Sequence, residues 1–582
     1  MKRTKGRLKG IMIIGLLLSV MMTACTKNTT VSESTTTSVS SAVEEKVTET
    51  VTEESGDKET ATSEYASKLF DTSYVHTINI EISEEDWADL LENPTEKTKY
   101  HANVTIDGET VEDVSFATKG NTSLSSIASD SDSDRYSFKV NFGKYVDDQT
   151  YYGLDKLNLN NIYADNTYMK DYLSYAIFSA AGVESPLTSY VWLTVNGEDF
   201  GLYLAIEDIG ESYLDRTADG EGELYKPETE MLDNVGGGPG NGDGKEFPGG
   251  DFTPPEGGDF TPPDGGNFGK DFKPGEMPDI SGNMEGFGGN MPTPGEMPDI
   301  SGDMPDFGDF GGFGGMGGMS NGADLAYTDD SIESYSDIFD NNETKVTEED
   351  EQRVIAALKG LSEGTNLEEY LDTDEIIRYF VAHNFVLNYD SYTGSMLHNY
   401  YLYENDGKLS MLPWDYNLAF GGFSGGDATS LINTGIDTPL SGASEESRPM
   451  WSWIASNEEY LEKYHEIYNE LLTEYFESGK FDAEIDRVYE MILPYVEKDP
   501  SAFCTAEEFK EAYENLKQFC ELRAESIRKQ LDGTLSATTS EQSEDAKVDA
   551  SSVDLTALGS MNMGGGRDGD KGGFGGGPGK RE

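Results

Sequence analysis

A long glycine-rich stretch in the middle of the chain restricts the fold more than any other feature of the sequence. Of the 65 glycines in 582 residues, 28 lie between Gly236 and Gly322, where short phrases such as Asp-Phe-Thr-Pro-Pro repeat. Such a composition cannot bury enough apolar surface to offset its ordering entropy, so the stretch is predicted to be a flexible insertion. The globular part must therefore form from two separate pieces, about 70–227 and 324–531.

The N-terminus predicts export and a lipid anchor. A basic start is followed by an apolar run, Gly10 to Met22, that is too short to cross ~30 Å of hydrocarbon as a stable helix. The run ends in Met22-Thr-Ala-Cys25, which resembles a bacterial lipoprotein signal whose cysteine becomes the acylated first residue. We therefore expect the protein to be lipid-anchored through Cys25 on the extracytoplasmic side of the cell membrane. The alternative, an uncleaved anchor helix, also leaves the body of the chain outside.

The charge of the chain restricts its partners. Lys and Arg number 42 against 110 Asp and Glu, so the net charge is 42 − 110 = −68. Such a surface repels phosphate backbones, and nucleic acid is excluded as a partner on this ground. The same surface suits divalent cations and basic protein segments.

The hydrophobic pattern predicts an α+β fold. Alternation at Thr77–Ile82 and Tyr136–Phe142 predicts strands in the first piece. Asp-Gly and Asn-Gly pairs predict three hairpin turns, at Asp107-Gly108, Asn196-Gly197 and Asp406-Gly407. The second piece, apart from the hairpin at 398–412, is predicted to be helical at 348–358, 373–388, 458–476, 482–492 and 506–531.

Two aspartates flank the small hairpin of the second piece. Asp390 follows a long predicted helix, and Asp415 follows the hairpin in Pro413-Trp-Asp-Tyr-Asn. Carboxylates at the two ends of a short hairpin can converge on one cleft. One would accept a proton or orient a hydroxyl, and the other, with Asn399 or Asn417, would hold a hard cation through oxygen ligands. Protein kinases use the same order, a catalytic Asp loop, a small hairpin and a metal-binding Asp.

The first piece carries residues that suit a nucleotide in the same scheme. Lys139 lies in an alternating strand ahead of a helix with Asp171, as the phosphate-pairing Lys of a kinase precedes its acidic partner helix. Lys119 adjoins a glycine turn. The second hairpin ends at Glu207-Asp208, like the last strand of a kinase small lobe running into the hinge beside adenine.

A family resemblance rests on six ordered motifs: Thr118-Lys-Gly-Asn-Thr-Ser, Tyr136-Ser-Phe-Lys-Val, Gly153-Leu-Asp-Lys-Leu-Asn-Leu-Asn-Asn, Val195-Asn-Gly-Glu-Asp-Phe-Gly-Leu-Tyr, Tyr389-Asp-Ser-Tyr-Thr-Gly and Pro413-Trp-Asp-Tyr-Asn. Together they resemble the CotH family, atypical protein kinases named for a spore-coat protein. The resemblance covers about 72–226 and 324–430. It implies a two-lobed protein-kinase-like fold that binds ATP with Mg²⁺ or Mn²⁺ and phosphorylates Ser or Thr on proteins.

The resemblance also implies roles for individual residues. Asp390 would be the catalytic aspartate and Asp415 the metal-binding one, with Asn399 as a second metal ligand. Glu207 lies where the family usually has Glu, and the nucleotide lysine would be Lys139, Lys119 or neither. The predicted organisation is a signal peptide at 1–25, a disordered stalk at 26–66, an N-terminal lobe at 67–227, the low-complexity insertion at 228–323, a C-terminal lobe at 324–532 and a disordered tail at 533–582.

The resulting hypothesis is a secreted, membrane-anchored kinase that transfers phosphate from ATP to Ser or Thr of envelope or extracellular proteins. The alternative is a catalytically inactive surface protein that uses a kinase-like fold for binding or attachment. Convergence of Asp390, Asp415 and a lysine on one cleft would favour the kinase, and scattered side chains would favour the binding module.

Overall fold

The structure, a computed structural model, describes residues 63–130, 133–229, 321–423, 426–559 and 561. The predicted signal peptide with Cys25, almost all of the stalk and nearly all of the glycine-rich insertion lie outside the described residues. The described residues all belong to one compact unit. No helix in the described ranges is both long and apolar enough to cross a membrane.

Seven strands of the first piece close into a barrel, in the order β1-β2-β3-β4-β5-β7-β6. The barrel strands are β1 (His76–Ile82), β2 (Tyr100–Ile106), β3 (Glu109–Lys119), β4 (Ser137–Asn141), β5 (Lys156–Asn160), β6 (Thr188–Val195) and β7 (Glu198–Glu207). Neighbours are antiparallel except β1 and β6, whose parallel pairing sets Ile78 opposite Leu193 and closes the sheet. The predicted Asp-Gly and Asn-Gly turns are confirmed, because both residues of each pair have positive φ.

The interior of the barrel is filled by the buried half of each alternating strand. Ile78, Ile80 and Ile82 of β1 point inward, and Phe116 stacks on Phe138 with ring centroids 4.7 Å apart. Burying one such side chain stabilises a fold by roughly 1.5–3 kcal/mol. The barrel is therefore held by its own apolar core.

The second piece is mainly helical, and it carries a three-stranded sheet in the order β10-β9-β8. The sheet consists of β8 (Glu223–Tyr225), β9 (Tyr400–Asn405) and β10 (Lys408–Pro413). The helices of the whole described chain are α1 (Glu64–Lys68), α2 (Glu84–Glu92), α3 (Thr122–Ala128), α4 (Lys170–Ala180), α5 (Glu211–Thr217), α6 (Ser336–Phe339), α7 (Glu348–Glu363), α8 (Thr373–Val386), α9 (Ala428–Ile432), α10 (Pro449–Ala455), α11 (Glu458–Leu471), α12 (Lys480–Val496) and α13 (Ala506–Leu531). Helix α8 is largely buried, since ten of its 14 residues lie in the interior.

The expected two-lobed protein-kinase-like fold is wrong, although the α+β class holds. The strands of the first piece form a closed barrel because β1 and β6, more than a hundred residues apart, pair directly. The two pieces also share structure, since β8 of the first piece pairs with β9 of the second. Parallel pairing of distant strands leaves no short-range signal in the sequence, so alternation alone could not predict it.

A buried ion pair also joins the barrel to the second piece. Arg135 donates to the Asp499 carboxylate at 2.9 Å, and both side chains are fully buried. The same guanidinium donates to the carbonyl oxygens of Asn161, at 2.9 Å, and of Leu202. Arg135 is thereby a structural residue.

The C-terminal segment differs from its prediction as a disordered tail. Residues 533–559 run back along α13, with Leu535, Val548 and Leu558 buried in the body of the protein. We call residues 533–559 together with Met561 the C-terminal strap.

Candidate active site

A cleft of about 480 Å³ lies between residues of the barrel and residues of the helical part. Six of the predicted site residues line it together, namely Lys119, Lys139, Asp390, Asn399, Asp415 and Asn417. The structure thus brings the two aspartates and both candidate lysines to one place.

Asp390 is positioned by the end of helix α8 and by the start of the hairpin. The helix ends at Val386, the next residue Leu387 has the left-handed conformation, and the chain then turns into the loop that carries Asp390. The carboxylate of Asp390 lies 2.7 Å from His398 Nε2 and accepts from Asn399 Nδ2 at 3.1 Å. Asp390 is only 7% exposed, and its contacts with His398 and Asn399 hold its carboxylate in one orientation.

Asp415 lies two residues after the end of β10, with a positive φ of 56°. Its N–H donates to the Tyr175 hydroxyl at 3.1 Å, and its carbonyl accepts from Asn388 Nδ2 at 3.2 Å. Burial raises the pKa of the Asp415 carboxyl, the Lys119 ammonium opposes that rise, and the charge of Asp390 adds to it. The two aspartates therefore repel each other across the cleft, and a bound cation would relieve that repulsion.

Asp171 of helix α4 supports the Asp415 loop from behind. One of its carboxylate oxygens accepts from the Tyr416 N–H at 2.7 Å. Burial and the neighbouring Asp415 charge raise the pKa of Asp171 above its usual range. The sequence pointed to Asp171 as the partner of Lys139, whereas the structure places it beside Lys119 and Asp415.

His383 joins the loops of the two aspartates inside the protein. Its Nδ1 lies 2.8 Å from the Tyr416 hydroxyl and its Nε2 lies 2.7 Å from the Thr393 hydroxyl. Burial lowers the pKa of His383 to about 3, so the imidazole is neutral near pH 7. Sequence reasoning missed this residue, because its only signal was a histidine within an apolar helix.

Lys119 reaches the cleft from the end of β3. Its ammonium donates to Asn160 Oδ1 at 2.7 Å and lies 5.3 Å from the centroid of the Trp414 ring. Burial lowers the pKa of Lys119 to about 8, although the negative charge of Asp415 acts in the opposite direction. This lysine has a neutral hydrogen-bond partner and is drawn toward the proposed metal-binding aspartate.

Lys139 lies in β4 and forms an ion pair with Asp208, at 2.9 Å. The Asp208 side chain is 2% exposed and also accepts from Asn158 at 2.7 Å. Burial would raise the pKa of Asp208, but Lys139 and Lys156 outweigh it and hold that pKa below its usual range. Asp208 is thus the acidic partner of Lys139. The sequence analysis had singled out Asp208 only as the residue that follows Glu207 at the end of the second hairpin.

Glu207 lies inside the protein and does not line the cleft. Its carboxylate accepts from the Tyr65 hydroxyl at 2.5 Å, from Arg216 Nη2 at 2.7 Å and from the Leu187 N–H at 3.0 Å. These bonds tie α1 and α5 to the barrel. Successive strand residues point to opposite faces, so Glu207 and Asp208 have different surroundings.

The donor set of the cleft fits a hard divalent cation. In the described part of the chain no group of three or more His, Cys, Asp or Glu side chains could hold a metal by itself. Mg²⁺ does not require such a group, because it is commonly bound by one or two carboxylates together with waters and substrate phosphates. Asp390, Asp415 and the amide oxygen of Asn399 offer oxygen ligands of that kind at one cleft.

A cleft that combines lysines with paired aspartates has the chemistry of a site for a phosphate compound and a divalent cation. Comparison with known families agrees with this. The chain belongs to the CotH kinase protein family, whose model matches residues 116–252 and 309–527, so the family resemblance is confirmed.

One curated relative is the inner spore coat protein H of Bacillus subtilis (strain 168). The two are 31% identical over 77 residues, which is 13% of this chain and 21% of the relative. The matched region therefore spans about a fifth of the relative's length.

Proposed function

We propose that this protein is an ATP-dependent protein serine/threonine kinase, exported and anchored to the cell membrane through a lipid on Cys25. One observation carries the proposal, the convergence of Asp390, Asp415, Lys119 and Lys139 on a single cleft. Membership of the CotH kinase protein family supports it. The alternative, a catalytically inactive binding module, would be favoured by side chains scattered over the molecule. The geometry therefore gives it no support.

The proposed reaction is a phosphoryl transfer. The oxygen of an acceptor hydroxyl attacks the γ-phosphorus of ATP, the bond to the bridging oxygen breaks, and ADP leaves. Asp390 accepts the hydroxyl proton, and His398 and Asn399 hold its carboxylate in place for that task. Asp415, with Asn399, would hold Mg²⁺ or Mn²⁺. A bound cation of this kind neutralises charge on the phosphate oxygens.

The two lysines take different parts in this scheme. Lys139 already has a buried carboxylate partner, Asp208, which fixes its position. Among the described residues, the Lys119 ammonium donates to a neutral amide, and burial disfavours its charge. A phosphate beside Lys119 would restore the favoured charge, so we assign Lys119 the main phosphate contact and Lys139 a second one.

The charge of the chain favours one kind of protein substrate. With a net charge of −68, the surface attracts basic segments and repels acidic ones. We therefore propose Ser or Thr residues within basic stretches of envelope or extracellular proteins as the acceptors.

Phosphate transfer from labelled ATP tests the proposal directly. The chain from Thr26 to Glu582 is incubated with Mg²⁺ or Mn²⁺ and a basic Ser/Thr-rich protein, beside Asp390→Asn and Asp415→Ala. We expect incorporation by the parent and its loss in both variants. Asp147→Asn, on an exposed loop, is the matched control and should behave as the parent. No incorporation, together with no rise in melting temperature on adding nucleotide, would reject the kinase.

A further inference from the structure

The C-terminal strap lies outside the region that matches the family. The family model ends at residue 527, within α13, whereas the strap begins at Gly533. The strap is therefore a segment that this chain has in addition to the region matched by the family model.

The strap is packed along most of its length. Val548 exchanges two hydrogen bonds with the Asn433 side chain, of 2.8 and 2.9 Å. Leu535, Val548, Val553 and Leu558 are buried, at 7% exposure or less. These contacts lead the backbone from the end of α13 back toward the cleft.

The tip of the strap is held by a buried lysine. Lys170, at the start of α4, is fully buried and donates its ammonium to the carbonyl oxygens of Gly559 at 2.9 Å and Ala164 at 3.3 Å. The N–H of Asn166 donates to the Leu558 carbonyl at 3.2 Å. A buried ammonium requires such partners, so the strap completes the environment of Lys170.

The loop that holds the tip also reaches the candidate site. Asn417, two residues after Asp415, donates to the Tyr163 carbonyl at 3.2 Å. Beyond Gly559 the strap delivers Met561, which lines the cleft. Among the described lining residues, only Met561, Tyr401 and Trp414 have large apolar side chains. The apolar part of a nucleotide has these three side chains to pack against.

We propose that the C-terminal strap forms one wall of the nucleotide site, with Met561 contacting the bound nucleotide and Lys170 positioning the tip. The inference rests on the proposed function, because it takes a nucleoside triphosphate as the ligand. A thioether side chain is apolar and polarisable, and it packs well against an aromatic ring such as a nucleobase.

Displacement of the tip provides the first test. A Cβ on Gly559 would lie 2.7 Å from the Ala164 carbonyl oxygen and 2.9 Å from the Asn166 nitrogen, and φ there is +79°. Gly559→Val should therefore unseat the tip and weaken Mg·ADP binding about tenfold. Gly533→Ala is the matched control, because Gly533 also has positive φ, +71°, but has open space around its Cβ. Met561→Ala should weaken binding in the same direction, and it changes only the end of the strap.

Methionine oxidation provides a readout independent of activity. Mild peroxide is applied to the full chain without its signal peptide, with and without Mg·ADP, and sulfoxide is measured by mass spectrometry. We expect Mg·ADP to slow oxidation of Met561 at least threefold. Met491, which is also partly buried but does not line the cleft, should be unaffected.

The outcomes separate the two proposals. If calorimetry shows Mg·ADP bound to the parent, but Met561 is not protected and Gly559→Val and Met561→Ala bind as tightly as the parent, the role of the strap is rejected alone. If the parent binds no nucleotide at all, the proposed function and the strap assignment are both rejected.

Discussion

Side chains that do not line the cleft hold the two central aspartates in place. His383 bridges Thr393 of the Asp390 loop and Tyr416 of the Asp415 loop, and Asp171 binds the Tyr416 N–H. A shift in any of these residues would move a carboxylate, and small misplacements at a reacting centre are costly.

At the scale of the residue, the two lysines should differ on substitution. Lys119→Met removes the ammonium assigned the main phosphate contact, so kcat/KM should fall about 10²-fold or more, as it does when electrostatic stabilisation of a transition state is lost. Lys139→Met should cost less activity but more stability, because it leaves Asp208 buried without its main partner. Kinetics and urea unfolding measure both, and the exposed Lys144→Met is the control. Equal losses for the two variants would contradict the assignment.

The low pKa of His383 predicts that the folded protein loses stability in acid. Its pKa is about 3 in the folded protein and about 6.5 when unfolded, so the unfolded chain binds more protons between these values. The contribution of the neutral imidazole is therefore complete above pH 6.5 and declines as the pH falls toward 3. We expect His383→Gln to be less stable than the parent at pH 7, with a difference that narrows by pH 4. Urea midpoints between pH 4 and 8 measure this, and a constant difference would contradict it.

At the scale of the element, buried polar contacts join the barrel to the helical part. The ion pair of Arg135 and Asp499 fastens the strand-rich piece to the segment after α12. A buried pair of this kind is strongly destabilising when one partner alone is removed, because the other charge remains buried.

Arg135→Met should therefore lower the free energy of unfolding by about 3–5 kcal/mol. The exposed pair of Lys359 and Asp330, 43% and 69% exposed, offers a matched comparison. Lys359→Met should leave the urea midpoint close to that of the parent, because exposed ion pairs contribute little to stability. Urea unfolding of both variants is the measurement, and equal effects would show that burial of the first pair has no energetic consequence.

At the scale of the whole molecule, the strap extends the folded unit beyond residue 532, where the composition predicted a disordered tail to begin. A chain that ends at Leu531 would lose the buried Leu535, Val548, Val553 and Leu558, each worth roughly 1.5–3 kcal/mol. We expect it to melt well below a chain that ends at Met561, as measured by calorimetry. Equal melting temperatures would mean that the strap contributes no stability.

Local sequence alone determined much of the secondary structure and the choice of candidate residues. Asp-Gly and Asn-Gly pairs specify their turns by backbone preference, and α13 runs over the predicted 506–531. Asp390 and Asp415 could be paired because the hairpin between them is short and local. All six family motifs lie within the residues that the family model matches.

Only the tertiary structure decided the closure of the barrel, the position of Glu207 and the path of the strap. Pairing of β1 with β6 joins segments separated by more than a hundred residues, which no local pattern specifies. Glu207 and Asp208 are adjacent acids, and only their surroundings show that Asp208 lines the cleft. The strap has a polar composition with few apolar residues. Its order comes from pockets on α13 and around Lys170 that exist only once the rest of the chain has folded.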